Sequence, residues 1–181
     1  MPLASRLATR DDIPRLVPLM EAAIDQLQRR FLSETQIASS HAIMGLDQQL
    51  IDDGTYFVIE ADGELAGCGG WSRRATLYGG DHSAGRDAAL LDPSRDPARV
   101  RAMYTHPGFT RRGVGRLIIE LCEQAAVAEG FTELELMSTL AGQPLYAAAG
   151  FEVVEEVEDA TGGTPVPLLK MRKLLRGNLG T

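Results

Sequence analysis

The chain has 181 residues, a formal net charge of −7, 44% hydrophobic and 24% charged residues. At about 150 residues per domain this is one domain, 1–181, able to bury a core without staples, and the apolar fraction excludes a disordered chain. A pI near 5.0 argues against a broad basic surface for nucleic acid or membrane, and the two cysteines, Cys68 and Cys122, cannot build a disulfide framework or a four-cysteine zinc site.

Residues 1–7 hold one arginine and no apolar run of the export-signal kind, and no stretch approaches the roughly 18 apolar residues of a membrane span. The expectation is a soluble cytoplasmic protein. Ile13, Leu16, Val17, Met20, Ala23, Ile24 and Leu27 predict an amphipathic helix over 12–29. Asp11 or Asp12 caps it, Pro14 is tolerated in the first turn and Pro18 should kink it. A second helical stretch covers 33–51 with a break at Gly45. Residues 55–60 and 65–72 are β-branched and aromatic on either side of Ala61-Asp62-Gly63, which predicts an antiparallel hairpin. Residues 74–97, rich in Gly, Asp, Ser, Pro and Arg, read as a long loop.

A strand is predicted over 98–105. It runs into the turn from His106 to Gly113 and a helix whose apolar face is Val114, Leu117, Ile118, Leu121, Cys122 and Ala125, ended by Gly130. A strand over 133–137, a short helix over 143–149 closed by Gly150, and strands over 151–157 and 165–174 complete the order. The whole predicts an α/β (α+β mixed) fold built on one sheet.

The strand–turn–helix unit carries the chemistry. A basic turn with Gly113 and Gly115 at a helix start offers unpaired N–H groups and a positive dipole end, a site suited to phosphate. Arg111, Arg112 and Arg116 add charge. A P-loop is excluded because no Lys-Ser or Lys-Thr follows the glycines, and a dinucleotide fingerprint because position 118 is Ile118. On spacing alone, glycines that merely pack the helix on a sheet remain an alternative.

Thr110-Arg111-Arg112-Gly113-Val114-Gly115 resembles the Gln/Arg-x-x-Gly-x-Gly/Ala acetyl-coenzyme A motif of the GNAT superfamily of N-acetyltransferases. Met103-Tyr104-Thr105-His106-Pro107 looks like the end of that family's fourth strand, and Leu145-Tyr146-Ala147-Ala148-Ala149-Gly150-Phe151 matches its Leu-Tyr-x-x-x-Gly-Phe element. The resemblance extends over the whole chain. It implies a GNAT-like single domain with a central mixed, mostly antiparallel twisted sheet flanked by helices, parallel only near the fourth and fifth strands. It implies acetyl-CoA as cosubstrate and direct transfer to a primary amine on a small molecule or peptide; no metal is expected, since no His or Cys spacing suggests a metal site. Arg111, Arg112, Gly113, Val114, Gly115 and Arg116 would hold the pyrophosphate, and Met103, Tyr104, Thr105 and Thr139 the thioester arm. Three positions depart from the pattern: Thr110 stands where the signature has Gln or Arg, and Thr139 and Gly142 where many relatives carry Asn and Ala. Side-chain contacts to the coenzyme are therefore expected to be rearranged, with backbone amides holding the pyrophosphate.

Tyr146 matches the family tyrosine beside the coenzyme sulfur and is the candidate general acid; packing of an aromatic on a short helix is the alternative. The general base is left unassigned. The strand 98–105 carries no carboxylate, Glu133 and Glu135 are expected to face solvent, and a water chain could carry the proton. His106 fits a structural His-Pro turn, His41 borders the acceptor cleft by resemblance but reads as a surface histidine, and His82 has no ligand spacing around it. Cys68 and Cys122 read as packing residues, and Trp71 as lining either the acceptor cleft or the core. Overall acidity favours a cationic amine, whereas Arg73, Arg74 and Arg101 would suit an acceptor bearing a carboxylate. The resemblance also allows a homodimer. The competing reading is a non-catalytic acyl-CoA binding or sensing domain, and a third is a plain nucleotide-binding module.

Overall fold

A computed structural model describes residues 2–176 of the chain. Seven strands, β1 (Leu3–Leu7), β2 (Tyr56–Ala61), β3 (Glu64–Ser72), β4 (Ala98–Thr105), β5 (Glu133–Ser138), β6 (Glu152–Asp159) and β7 (Val166–Leu174), form one sheet in the order β1-β2-β3-β4-β5-β7-β6. Every neighbouring pair is antiparallel except β4 with β5, which is parallel. The mixed, mostly antiparallel sheet expected from the sequence is therefore present. Five helices flank it: α1 (Ile13–Leu27), α2 (Glu34–Ser40), α3 (Gln48–Asp52), α4 (Val114–Ala128) and α5 (Gln143–Ala148). Among the described residues no helix is long and apolar enough to cross a membrane.

The two long helices lie on opposite faces. The α1 stripe of Leu16, Leu19, Met20, Ala23 and Ile24 packs with Tyr56, Val58, Cys68 and Tyr104. On the other face Ile118, Ile119, Cys122 and Ala126 of α4 meet Ile59, Ala66, Val100, Leu134 and Leu136. The side chains alternate between these two clusters along β2, as the pleat requires. Pro18 lies inside α1 without ending it, at the cost of one backbone hydrogen bond. The stretch 33–51 is two short helices. Ser33 caps α2 in a reciprocal pair with Gln36, Asp47 caps α3, and Gly45 between them has φ +128°.

The loop between β3 and β4 is tied down along its length. Arg74 reaches Asp53, Arg86 reaches Asp47, Tyr78 Oη donates to Asp159 at 2.6 Å and Ser83 Oγ donates to the Ala42 carbonyl. A single bridge, Arg74 with Leu90, closes its base. The segment thus lies along the stretch 41–48 and both ends of α3, and it supplies Leu77, Tyr78 and Gly79 to the main cleft.

One expectation is corrected here, and one open alternative is resolved. Glu135 does not face solvent: it is 3% exposed, lies opposite Arg99 of β4 and Arg172 of β7, and pairs with both and with Lys170. Three cations from two neighbouring strands satisfy one carboxylate, which makes its burial tolerable. Trp71 belongs to the core and not to the cleft, with its ring edge-on to Phe131 at 6.0 Å and Arg73 over its face.

Candidate active site

The parallel pairing of β4 and β5 lasts for two residues, Ala98 with Leu134 and Arg99 with Glu135. Beyond them the strands part, and a cleft of about 960 Å³ opens between 100–105 on one side and Leu136, Met137 and Thr139 on the other. The β4 backbone that faced β5 is left without a sheet partner there, so its amides and carbonyls are available to a bound molecule.

A bulge fixes how β4 enters the cleft. Cys68 pairs with Tyr104 and Gly70 with Arg101, so Ala102 and Met103 together oppose Gly69. Ala102 takes φ +50°, a left-handed conformation that costs a non-glycine residue about 1–2 kcal/mol. Buried groups hold it: Tyr56 Oη donates to the Ala102 carbonyl at 2.6 Å, and the Gly45 N–H donates to Tyr104 Oη at 2.8 Å. A Cβ on Gly69 would lie 2.7 Å from Met103 Cγ, and one on Gly67 would lie against Val114. The side-chain-free stretch of β3 is what lets both the bulge and the start of α4 sit so close.

One end of the cleft is the turn into α4. Gly113 has φ +84° and open space where a Cβ would project. Among the described residues, none of the backbone N–H groups of 111–116 donates to a backbone carbonyl. They gather at a helix N-terminus, where the dipole is positive. Arg111, Arg112 and Arg116 are exposed around them. Arg112 stacks over Phe109 at 5.2 Å and does not line the cleft, whereas Arg111 and Arg116 do. These features fit a pyrophosphate, with amides supplying most of the contacts. Gly115 serves packing: a Cβ there would meet Leu145 Cδ2 at 2.5 Å.

Tyr146 approaches the same cleft from α5. Its hydroxyl donates to Met103 Sδ at 3.5 Å, and its ring lies edge-on to Phe151 at 5.9 Å. Burial, with smaller contributions from Cys122 and Tyr104, pushes this phenol above its ordinary value, so it holds its proton at neutral pH. Gly142 stands under the ring. A Cβ there would lie 2.9 Å from Tyr146 Cε2, so an alanine at this position would displace the ring. Thr139 Oγ1 accepts from the Gly142 N–H at 3.1 Å and so shapes the loop into α5.

Of the residues singled out from the sequence, Met103, Tyr104, Thr105, Arg111, Gly113, Val114, Gly115, Arg116, Thr139 and Tyr146 line this one cleft. Arg73 and Arg74 do not reach it, being engaged by Glu129 and Asp53. Arg101 lines it but is already bound to Asp47 and to the Gly79 carbonyl. His106 Nδ1 accepts from the Gly108 N–H, a structural turn as expected. His41 pairs with Asp25 at 2.7 Å, outside the main cleft, and His82 bonds the His41 carbonyl. Cys68 and Cys122 are fully buried. Sequence reasoning missed the bulge at Ala102, the Asp47–Arg101 pair and the cleft residues Gln28, Leu77 and Tyr78. An isolated tyrosine in a polar loop was the one visible signal among them.

A strand that splits from its parallel neighbour beside an amide-rich helix start gives the cleft one end with room for an anion and one with free backbone. Residues 19–151, well over half the chain, match the family model of the acetyltransferase (GNAT) family. The chain belongs to that family. Among solved structures it is similar to a GCN5-related N-acetyltransferase of Rhodopseudomonas palustris, with 20% identity, 97% of each chain covered and a TM-score of 0.72. It also resembles the PaiA N-acetyltransferase of Thermoplasma acidophilum in complex with coenzyme A, at 16% identity, 96% and 99% coverage and TM-score 0.63. The YncA protein of Salmonella typhimurium with its cofactor acetyl-CoA is similar at 17% identity, 100% and 98% coverage and TM-score 0.63. Among curated proteins no sequence matches.

Proposed function

We propose that this chain, as one catalytic domain, transfers the acetyl group of acetyl-CoA to a primary amine in a ternary complex. The observation that carries the reading is the meeting, in one cleft, of the amide-rich 111–116 turn, the unpaired backbone of β4 and the Tyr146 hydroxyl. Relatives of the same fold crystallised with coenzyme A and with acetyl-CoA support it. The bound cosubstrate supplies an acetyl group on a thioester. The chain's own residues do the rest. Amides of 111–116 hold the pyrophosphate, and a β4 amide near the bulge is placed to polarise the thioester carbonyl. Tyr146 Oη carries the proton that the departing sulfur needs.

The test is calorimetric titration with acetyl-CoA, run beside Gly113→Glu and an ATP control. The expected result is micromolar binding that the glutamate abolishes and that ATP does not match. Absent binding, or equal binding of ATP, overturns the reading. A non-catalytic acyl-CoA sensor is favoured by one observation, the lack of any Asp, Glu or His side chain among the residues described as lining the cleft. Coenzyme release with any amine excludes it.

A further inference from the structure

The end of the cleft away from the glycine turn is walled by the last turn of α1, the segment after it, the β3–β4 loop and β7. Ile24, Phe31, Ile43, Met44, Tyr78 and Leu168 make it largely apolar, and Phe31 at the rim is 47% exposed. Among the described lining residues the charged ones are all arginines: Arg30, Arg101, Arg111 and Arg116. The carboxylates close behind the wall are occupied, Asp47 by Arg86 and Arg101, and Asp159 by Tyr78 and Thr161.

Such a wall is poorly suited to a cation. A desolvated ammonium requires a carboxylate or several carbonyls to compensate it, and among the described lining residues at this end the one charge without a carboxylate partner is the cation Arg30. Removing its proton would also require a base within reach. One buried polar atom in this wall does lack a partner, Gln28 Oε1. The amide cannot be turned around, because Nε2 donates to the Ile24 carbonyl and to Ser40 Oγ, which itself donates to the Ile37 carbonyl. Gln28 Oε1 thus lies closed to solvent behind the wall as a neutral acceptor, and it adds no charge that would compensate an ammonium.

We infer that the acceptor is a weakly basic amine, uncharged before it binds, on an apolar aromatic body: an arylamine-like compound and not a polyamine or a lysine side chain. This rests on the acetyltransferase reading above and gives it a substrate class. The overall charge of −7 would draw cations toward the molecule, but the lining decides what can be desolvated. The step balances without a protein base: nitrogen bonds the acetyl carbon, the C–S bond gives its electron pair to sulfur, Tyr146 protonates the sulfur, and the nitrogen's surplus proton passes to water, from which the Tyr146 hydroxyl is restored. An arylamine, once acylated, loses that proton readily.

The experiment is steady-state thiol release from acetyl-CoA with 4-methylaniline, benzylamine and spermidine. The kcat/KM for 4-methylaniline should exceed that for spermidine by at least about 100-fold and stay flat between about pH 6.5 and 8.5, whereas benzylamine should gain about tenfold per pH unit as its neutral fraction rises. Phe31→Glu, which places a carboxylate at the exposed rim, should narrow the gap by about tenfold while acetyl-CoA affinity is retained. Faster turnover of spermidine than of 4-methylaniline overturns the inference and leaves the acetyltransferase reading standing. Acetyl-CoA binding without turnover of any of the three overturns both, and absent acetyl-CoA binding overturns the parent reading at its root.

Discussion

The guanidinium of Arg101 and the carboxylate of Asp47 meet at 2.9 Å with both side chains closed to solvent, joining the wall of the cleft to the cap of α3. Asp47 also receives Arg86 from the β3–β4 loop and the Gln49 N–H, so one carboxylate ties together a strand, a helix start and a long loop. Burial pulls the Arg101 guanidinium below its ordinary value, against the opposing effect of Asp47. Asp47→Ala leaves two guanidiniums facing each other in a buried site and should cost about 3–5 kcal/mol. Urea unfolding measures this, and a loss below about 1 kcal/mol would show that the cluster is hydrated and loosely held.

Tyr146→Phe removes the hydroxyl and leaves the ring edge-on to Phe151. Turnover should fall about 100-fold, with the dissociation constant of acetyl-CoA changed by less than about twofold. Paired rate and binding measurements separate this from a packing role, in which both would change together or neither would.

Acid stability should report on the first turn of α1. The hydrogen bond from Arg6 holds the Asp12 carboxyl down at about 2 against a usual 3.8, with the Thr9 N–H assisting and burial opposing. A carboxyl depressed in the folded state binds fewer protons there than in the unfolded chain, so its stabilisation is complete above about pH 4 and is lost as pH falls toward 2. Asp12→Asn should cost about 2 kcal/mol at neutral pH and remove that part of the acid transition. Unfolding followed from pH 2 to 7 tests it; parallel curves for the two proteins would contradict the assignment.

Both cysteine thiols should be silent in the native state. Burial raises Cys68 to about 12 and moves Cys122 upward as well, and the thiolate is the reactive form. An aromatic disulfide reagent should titrate no thiol in buffer and both in denaturant. A native thiol that reacts within minutes would mean that the core opens around it.

Much of this fold was readable in order along the chain, because its strongest signals are local. The helix period of 114–128, the hairpin about Asp62-Gly63 and the strand 98–105 depend on neighbours a few residues away, and each lies where the pattern puts it. The candidate site was readable where a motif fixed it, at the glycine turn and Tyr146. What stayed hidden depends on partners far off in sequence. Glu135 alternates with leucines like a surface residue, yet Arg99, Lys170 and Arg172 surround it. Ala102 gives no hint of a left-handed backbone, since the bulge follows from Tyr56 and from the room left by Gly69. The 74–97 loop has a composition that suggests mobility, and only the folded chain brings Asp47, Asp53 and Asp159 to its arginines and tyrosine.

The bare stretch of β3 has a consequence for how accuracy is maintained. At Gly67 and Gly69 the side chains of Val114 and Ile118 from α4 and of Met103 from the bulge rest directly on the main chain of β3. The spacing from the start of α4 to the backbone of Met103 is then set by side chains pressed on one bare strand, and two of them, Val114 and Ile118, are β-branched and stiff at χ1. Thermal motion of side chains elsewhere in the core can alter the walls of the cleft while the two ends of its ruler stay fixed. On the proposed reading, residues of the far wall can therefore change for another amine without moving the end of the cleft that would hold the coenzyme.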